Sequence, residues 1–435
     1  MKAVASSANG LKQTEIGEVP SDWDTATLRE KYSFTKKPRG LRLEKFEMIP
    51  FVPMDLIPYA SPSFADYLLK KPSEISSGTY FEAGDILLPK ITPSFENGKQ
   101  GIIHDLPHGF GMATTEVIPI NQVAGVSDRL FLFYYLLKDD IRDGLAGKME
   151  GSTGRQRLSK AVLEELHIPF PPLPEQKRIA GFLFKIQQVI VLQEKLITKT
   201  RELKAALIQK LFTEGLHGEE QKQTEIGLIP KSWELQRVGE ICEKPTYGYT
   251  ERASEKPVGP RFLRITDITE QGVDWSQVPY CKCPHKFLPK YQLKQGDILF
   301  ARIGATTGKS YLVENPPVAI YASYLIRVRT NPTLSPSYLY HYFNSELYWK
   351  QVNANKGSNL KKGVNGSILA RLLVPIPKDR DEQRQIADVL VAVDGKIARA
   401  TTRKRRLQAL FHSMLHQLMT GKIRVKDLDL VTENV

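Results

Sequence analysis

The sequence predicts an α+β chain: two tandem mixed α/β domains, each followed by a long helix, with the two helices pairing as an antiparallel coiled coil. Three observations predict it. A helical seam occurs twice, a twelve-residue string returns about 210 positions later, and each half carries short β-rich runs punctuated by Gly, Pro and Asn.

Steps of four and three through the first helical segment meet Ile179, Leu183, Ile186, Ile190, Gln193, Ile197, Thr200, Lys204, Leu207 and Leu211. The same steps through the second meet Ile386, Leu390, Val393, Ile397, Ala400, Lys404, Leu407, Phe411, Met414 and Leu418, each 207 residues after its counterpart. A seam of this period wants a partner helix, because an apolar stripe left in water forfeits its burial. The helix-pairing set is therefore Ile179, Leu183, Ile186, Ile190 and Leu207 against Ile386, Leu390, Val393, Ile397 and Leu407. Pro174 suits a first helical position, and Gly215 and Gly421 suit C-terminal caps. Glu175, Asp381 and Glu382 suit the positive ends of the helix dipoles. Forty residues of helix make a rod of roughly 60 Å.

The string Lys12-Gln-Thr-Glu-Ile-Gly-Glu-Val-Pro-Ser-Asp-Trp23 returns as Lys222-Gln-Thr-Glu-Ile-Gly-Leu-Ile-Pro-Lys-Ser-Trp233. Gly84-Asp-Ile-Leu-Leu88 returns as Gly296-Asp-Ile-Leu-Phe300, Pro169-Phe-Pro171 as Pro375-Ile-Pro377, and Glu175-Gln176 as Glu382-Gln383. A period this long means one globular unit plus one helix, made twice. The expected domains are 1–173, helix 174–215, a second domain 216–380, helix 381–421 and a tail 422–435. Phe81–Ile91 and Tyr291–Ile303 read as strands, each preceded by a Gly-Asp turn, and Phe131–Leu137 and Tyr338–Tyr348 as short aromatic helices, around an irregular antiparallel sheet.

A chain of 435 residues has room for two or three such cores. Lys and Arg exceed Asp and Glu by 61 to 48, a net +13 that favours a polyanionic partner, nucleic acid before membrane. Three cysteines (Cys242, Cys281, Cys283) make no disulfide framework, which points to a reducing cytoplasm. There is no apolar leader at Met1–Gly10 and no run of eighteen apolar residues, so no membrane contact is expected.

Several chemical motifs come close and fail. Gly304-Ala-Thr-Thr-Gly308-Lys309-Ser310 has three residues between its glycines where a phosphate-binding loop needs four, and Pro316-Pro317 interrupts the helix that should follow. Its counterpart Asn97-Gly98-Lys99 reads as a hairpin turn. Asn315-Pro316-Pro317-Val318 lacks the aromatic residue of an amino-methyltransferase signature. Cys281, Cys283 and His285 lack a fourth ligand, and His412 and His416 lack the acid of a metalloprotease helix. The sequence therefore offers no catalytic residue and no metal site.

Basic, Gly-containing segments lie at matching points in both halves: Gly151-Ser-Thr-Gly-Arg155-Gln-Arg157 and Lys356-Gly-Ser-Asn-Leu-Lys361-Lys362-Gly363. Small residues admit a phosphate close to the backbone and cations supply the charge. Arginine can take guanine bidentately and Asn or Gln adenine, which makes Arg302, Arg252, Gln100 and Asn97 candidate base readers. The candidate DNA-binding set of the first half is Lys90, Thr92, Asn97, Lys99, Gln100, Arg155 and Arg157. That of the second is Tyr247, Tyr249, Thr250, Arg252, Arg264, Arg302, Thr306, Thr307, Lys309, Lys361 and Lys362.

Tyr247-Gly-Tyr-Thr250, Leu263-Arg-Ile-Thr-Asp-Ile268, Gly296-Asp-Ile-Leu-Phe300, Gly304–Lys309, Ser323-Tyr-Leu-Ile326 and the two Glu-Gln pairs resemble the specificity subunit of type I restriction-modification systems, end to end. The first half departs from the pattern, with Ile91-Thr-Pro-Ser-Phe-Glu-Asn97 in place of a glycine-containing turn. The resemblance implies a non-catalytic scaffold for double-stranded DNA. Two target recognition domains would each read half of a split, asymmetric site in the major groove, with the helices as a ruler between them. It also implies two modification subunits that methylate adenine with S-adenosylmethionine bound in those partners, no cofactor in this chain, and two restriction subunits that add cleavage. A stand-alone adenine methyltransferase and a coiled-coil adaptor with no DNA role are the alternatives. The first lacks a glycine-rich cofactor loop in this sequence, and footprinting on DNA separates the second.

Overall fold

The structure is a computed structural model that describes residues 10–152, 154–269, 272–356 and 363–425. The chain forms two compact units, one of Met1–Leu192 with Lys404–Val435 and one of Gln193–Arg403. Each unit thus takes part of each of two long helices, Leu173–Glu214 and Arg380–Met419.

In the first unit a hairpin, Leu11–Thr14 with Gly17–Pro20, turns at Gly17 (φ +102°) and leads to a wholly buried Trp23. Strand Asp24–Thr27 pairs antiparallel with His167–Phe170. One four-stranded sheet runs in the order Tyr32–Phe34, Val117–Gln122, Ile86–Pro89, Gly101–Ile102. A second runs Leu68–Lys70, Ile49–Val52, Phe110–Ala113, Thr79–Glu82, and its Ile49–Val52 pair with Phe110–Ala113 is parallel. Helix Arg129–Tyr135 is capped by Asp128, which accepts from the Phe131 amide at 2.9 Å. Its residues Phe131 to Tyr135 are all buried. A helix apolar on every side belongs in a core, which is why the aromatic run folds inward.

The second unit repeats the plan. Gln221–Thr224 pairs with Gly227–Pro230 in the same register, Trp233 is buried, and Glu234–Arg237 pairs with Leu373–Ile376. A sheet of Thr246–Tyr247, Leu325–Val328, Ile298–Ala301 and Ser310–Leu312 follows, with a parallel pair of Arg261–Leu263 and Ala319–Tyr321. Each unit thus holds one four-stranded antiparallel sheet, with a parallel strand pair in a separate sheet beside it.

The two long strands expected from the sequence are each broken. Thr79–Glu82 and Ile86–Pro89 are separated by Gly84 at φ +90°, and Tyr291 ends a helical turn before Gly296 (φ +86°) opens Ile298–Ala301. The turn aspartates are fully buried. Asp85 accepts from Thr35, Asn121 and the Glu82 amide, and Asp297 accepts the fork of Arg329 at 2.7 and 2.9 Å. Burial pushes the Asp85 carboxyl up, which those donors counter. Tyr338–Tyr348 also divides, into helices Pro336–Tyr342 and Glu346–Lys356.

Every residue of the predicted seam is buried or half-buried. In the first unit Ile179, Leu183 and Ile186 share one core with Phe411, Leu415, Leu418 and Met419. In the second, Ile208, Leu211 and Phe212 share a core with Ile386, Ala387 and Leu390. There Lys204 meets Asp394 at 2.6 Å. The helices end in left-handed Gly215 (φ +70°) and Gly421 (φ +67°), whereas Leu173, not Pro174, takes the first position of the first helix.

The opening Glu-Gln pairs do more than meet a dipole. Trp23 donates to Glu175 at 2.9 Å and Trp233 to Glu382 at 3.2 Å. Gln176 donates to the Pro171 carbonyl at 2.8 Å, and Gln383 to that of Pro377 at 3.2 Å. Each repeated tryptophan is thus bolted to the helix that closes its own repeat. Arg424 adds paired bonds to Glu175 and to Asp22 in the first unit.

Candidate nucleic-acid interface

Both units present the same device, a hairpin connection that ends in Gly-Lys. In the first it spans residues 90–100, between Ile86–Pro89 and Gly101–Ile102. In the second it spans 302–309, between Ile298–Ala301 and Ser310–Leu312. Gly98 (φ +79°) and Gly308 (φ +89°) take left-handed backbone before Lys99 and Lys309. The strand after Lys309 confirms a turn in place of a phosphate-binding loop, which needs a helix there.

In the first unit the basic segment meets its loop. Arg157 pairs through its backbone with Ile91 and with Glu150, and the Thr92 amide donates to the Gln156 carbonyl at 3.0 Å. In the second unit Gly363 lies so close to Arg302 that an added Cβ would fall 2.1 Å from the Arg302 carbonyl oxygen. Lys361 and Lys362 lie outside the described residues.

The side chains divide into engaged and available. Gln100 corrects the sequence reading: it is fully buried, donates to the Phe133 carbonyl at 2.7 Å and accepts from Arg142 at 2.6 Å. A carboxamide spent at both ends inside a core cannot face a base. The Arg157 fork is bidentate on Glu116 at 2.9 Å, and that hydrogen bond holds the carboxyl below its usual range. Arg264 is similarly committed to Asp267 at 2.7 Å. The Thr92 hydroxyl donates to Glu96, the Thr307 hydroxyl to the Gly304 carbonyl, and Lys99 to the Met54 carbonyl at 2.8 Å. Lys90 and Thr306 are half-buried. Tyr249, also half-buried, packs on Tyr291 with ring centres 5.2 Å apart.

Asn97, Arg155, Thr250, Arg252, Arg302 and Lys309 are exposed. Arg302 lies 5.1 Å over the ring of Tyr247, whose hydroxyl accepts from the Gly366 amide at 3.0 Å. Stacking of this kind holds a guanidinium in place while its donors stay outward. Among the described residues, the side chains of Arg252, Arg302 and Lys309 form no ion pair, although the Arg252 amide donates to the Glu251 carboxylate at 2.8 Å.

Two residues that sequence reading missed shape the first loop. Arg142 is buried, with bonds to the carbonyls of Leu136 and Phe95 and to Gln100, so it ties the loop to the helical layer. Burial lowers its guanidinium to about 10. Tyr59 is exposed beside Lys99, whose ammonium lies 5.3 Å from the ring centre. The only sequence sign of Tyr59 is an aromatic residue isolated in a Pro- and Ser-rich stretch, Pro58–Pro62.

Cys242 and Cys281 are buried and Cys283 half-buried, all as free thiols, and burial pushes Cys281 up to about 12. No helix among the described residues is long and apolar enough to cross a membrane.

Comparison with known proteins agrees with this arrangement. The profile of the type I restriction modification DNA specificity domain matches residues 20–201 and again 230–409. The MjaVIII specificity subunit of a type I restriction enzyme from Methanocaldococcus jannaschii is 26% identical over 427 residues, covering 94% of this chain and 95% of that one. The EcoEI specificity subunit from Escherichia coli is 37% identical over 173 residues, 39% of this chain and 28% of that protein. A crystal structure of a type I S subunit from M. genitalium shares the fold, with a TM-score of 0.59 at 16% identity over 91% of this chain and 96% of that one. Duplicated units, a doubled profile match and a relative that spans nearly the whole chain all agree: the chain belongs to the type I restriction-modification DNA specificity family, as a specificity subunit.

Proposed function

We propose that this chain is the non-catalytic, DNA-reading subunit of a cytoplasmic type I restriction-modification complex. Each unit reads one half of a bipartite, asymmetric site in double-stranded DNA, through side chains on the 90–100 and 302–309 connections. The long helices set the gap between the half-sites and dock two methyltransferase subunits. Those partners bind S-adenosylmethionine and methylate adenine, and two restriction subunits add cleavage. This chain binds no cofactor of its own.

The observation that carries the reading is the repeated Gly-Lys hairpin connection, with exposed Asn97 on one copy and exposed Arg302 and Lys309 on the other. What the duplication repeats is a way of presenting side chains, not an enclosed pocket. The net charge of +13 suits a phosphate backbone. Val191, Leu192, Leu196 and Leu203 on the first helix, and Val389, Val391 and Leu410 on the second, are 39–61% exposed. Apolar surface of this kind on a rod suits burial by a partner subunit.

Mapping of methylated adenines in the host, with and without this gene, tests the proposal. A split motif that disappears with the gene supports it, and an unchanged methylation pattern refutes it. Exchange of residues 222–380 for another recognition domain should alter one half of the motif and leave the other.

A further inference from the structure

Tyr59 is, at 64% exposure, the most exposed large apolar side chain among the described residues, yet its backbone is held firmly. The Ala60 amide donates to the Gly98 carbonyl at 3.1 Å, the Gln100 amide to that of Pro58 at 3.1 Å, and the Ser61 amide to that of Gln100 at 3.3 Å. Ala60 sits at φ +48°, a left-handed conformation that a residue with a Cβ keeps only when its surroundings enforce it. The Ala60 carbonyl accepts from Gln187 on the long helix, and Gln187 accepts from the Tyr134 hydroxyl at 2.8 Å. The segment that carries Tyr59 is therefore tied both to the 90–100 loop and to the helical layer of its own unit. An aromatic side chain displayed on a restrained backbone loses little freedom when a partner covers it.

In the loop beside it Asn97 is exposed, but several other polar groups are engaged. Gln100 is buried, Thr92 is bonded to Glu96, and Arg157 is spent on Glu116. Lys99, bonded to the Met54 carbonyl, lies against the Tyr59 ring. In the second unit an exposed cation on the corresponding connection, Arg302, lies over the Tyr247 ring.

We propose that Tyr59 is a base-contacting residue of the first unit, its ring set against base edges and thymine methyl groups in the major groove and braced from behind by Lys99. The proposal rests on the DNA-reading function given above. It makes the two half-sites chemically unlike, one read by apolar contact and the other by guanidinium donors.

Selection of sequences from a library of random DNA duplexes with the full-length chain, as wild type, Tyr59→Ala and Tyr59→Phe, tests it. The wild type should enrich two clusters of specified positions. Tyr59→Ala should lose specification within one cluster, with a roughly tenfold fall in preference for selected over random duplex, while Tyr59→Phe keeps it. Enrichment of the same sequence by Tyr59→Ala at undiminished affinity overturns the assignment, and so does an equal loss on every duplex, which would mark a backbone contact. A wild type that enriches nothing overturns the DNA-reading function itself. Tyr59 is exposed, so an unchanged melting curve for the alanine variant separates these outcomes from misfolding.

Discussion

Replacing Arg142 with methionine removes the anchor of the first reading loop while nearly keeping its volume. The side chain is 5% exposed and donates to three acceptors: Leu136 O at 2.9 and 3.1 Å, Phe95 O at 2.5 Å and Gln100 Oε1 at 2.6 Å. Each buried acceptor left without a donor costs about 1–3 kcal/mol. Relief of the buried charge offsets part of that total, since burial already depresses this guanidinium to about 10. The net loss should be about 2–4 kcal/mol, a fall in melting temperature of roughly 5–15 °C for a unit of this size. Hydrogen exchange should quicken in peptides covering 90–102 and 129–146 before the rest of the chain. Arg142→Met with Gln100→Leu should cost less than the sum of the two alone, because one bond is counted in both. A methionine variant that melts like the wild type, with unchanged exchange over 90–102, would refute the claim that this guanidinium holds the loop.

Leu390 is fully buried in the core of the second unit, so Leu390→Ala should cost about 2–5 kcal/mol in chemical denaturation; an unchanged midpoint would put it outside the packed seam. His341 is 1% exposed, and burial together with the Lys204 ammonium lowers it to about 3. Asp394 lies 3.9 Å from the ring, but Lys204 already holds that carboxylate at 2.6 Å. The histidine is therefore neutral in the fold and takes a proton near pH 6.5 only when unfolded. Its stabilisation is whole above pH 6.5 and falls towards pH 3 by up to about 1.4 kcal/mol per unit. His341→Phe should flatten that acid limb in pH-dependent denaturation, and an equal slope would contradict it. Arg302→Ala should weaken binding to the selected duplex by about 1–3 kcal/mol and relax one position of one half-site; a uniform loss on all sequences would make Arg302 a phosphate contact instead.

The two long helices were legible because their apolar pattern was written twice, so each heptad position could be checked against its copy. The same duplication exposed Gly304–Lys309 as a turn, since no phosphate site fits Asn97-Gly98-Lys99. The Gly-Asp turns were visible in the sequence, but the strand bounds drawn around them ran too far towards the N-terminus, because the apolar run continues on both sides of each left-handed glycine. The site was only partly legible because engagement depends on distant partners. Gln100 meets Arg142 from 42 residues away and Arg157 meets Glu116 from 41, whereas local pattern alone presents both as free polar side chains. Tyr59 is the converse case. Its prominence comes from backbone bonds across 40 residues to Gly98 and Gln100, which no periodicity announces.

The footing of each connection has a bearing on how such a protein changes its target. In the first unit Gln100 and Arg142 grip the loop from within, and in the second the Tyr348 hydroxyl grips the Gly308 carbonyl at 2.6 Å. Asn97 and Arg302 stand on the solvent side of those grips. New outward residues can therefore be tried, and new DNA words spelled, on a foundation that stays put.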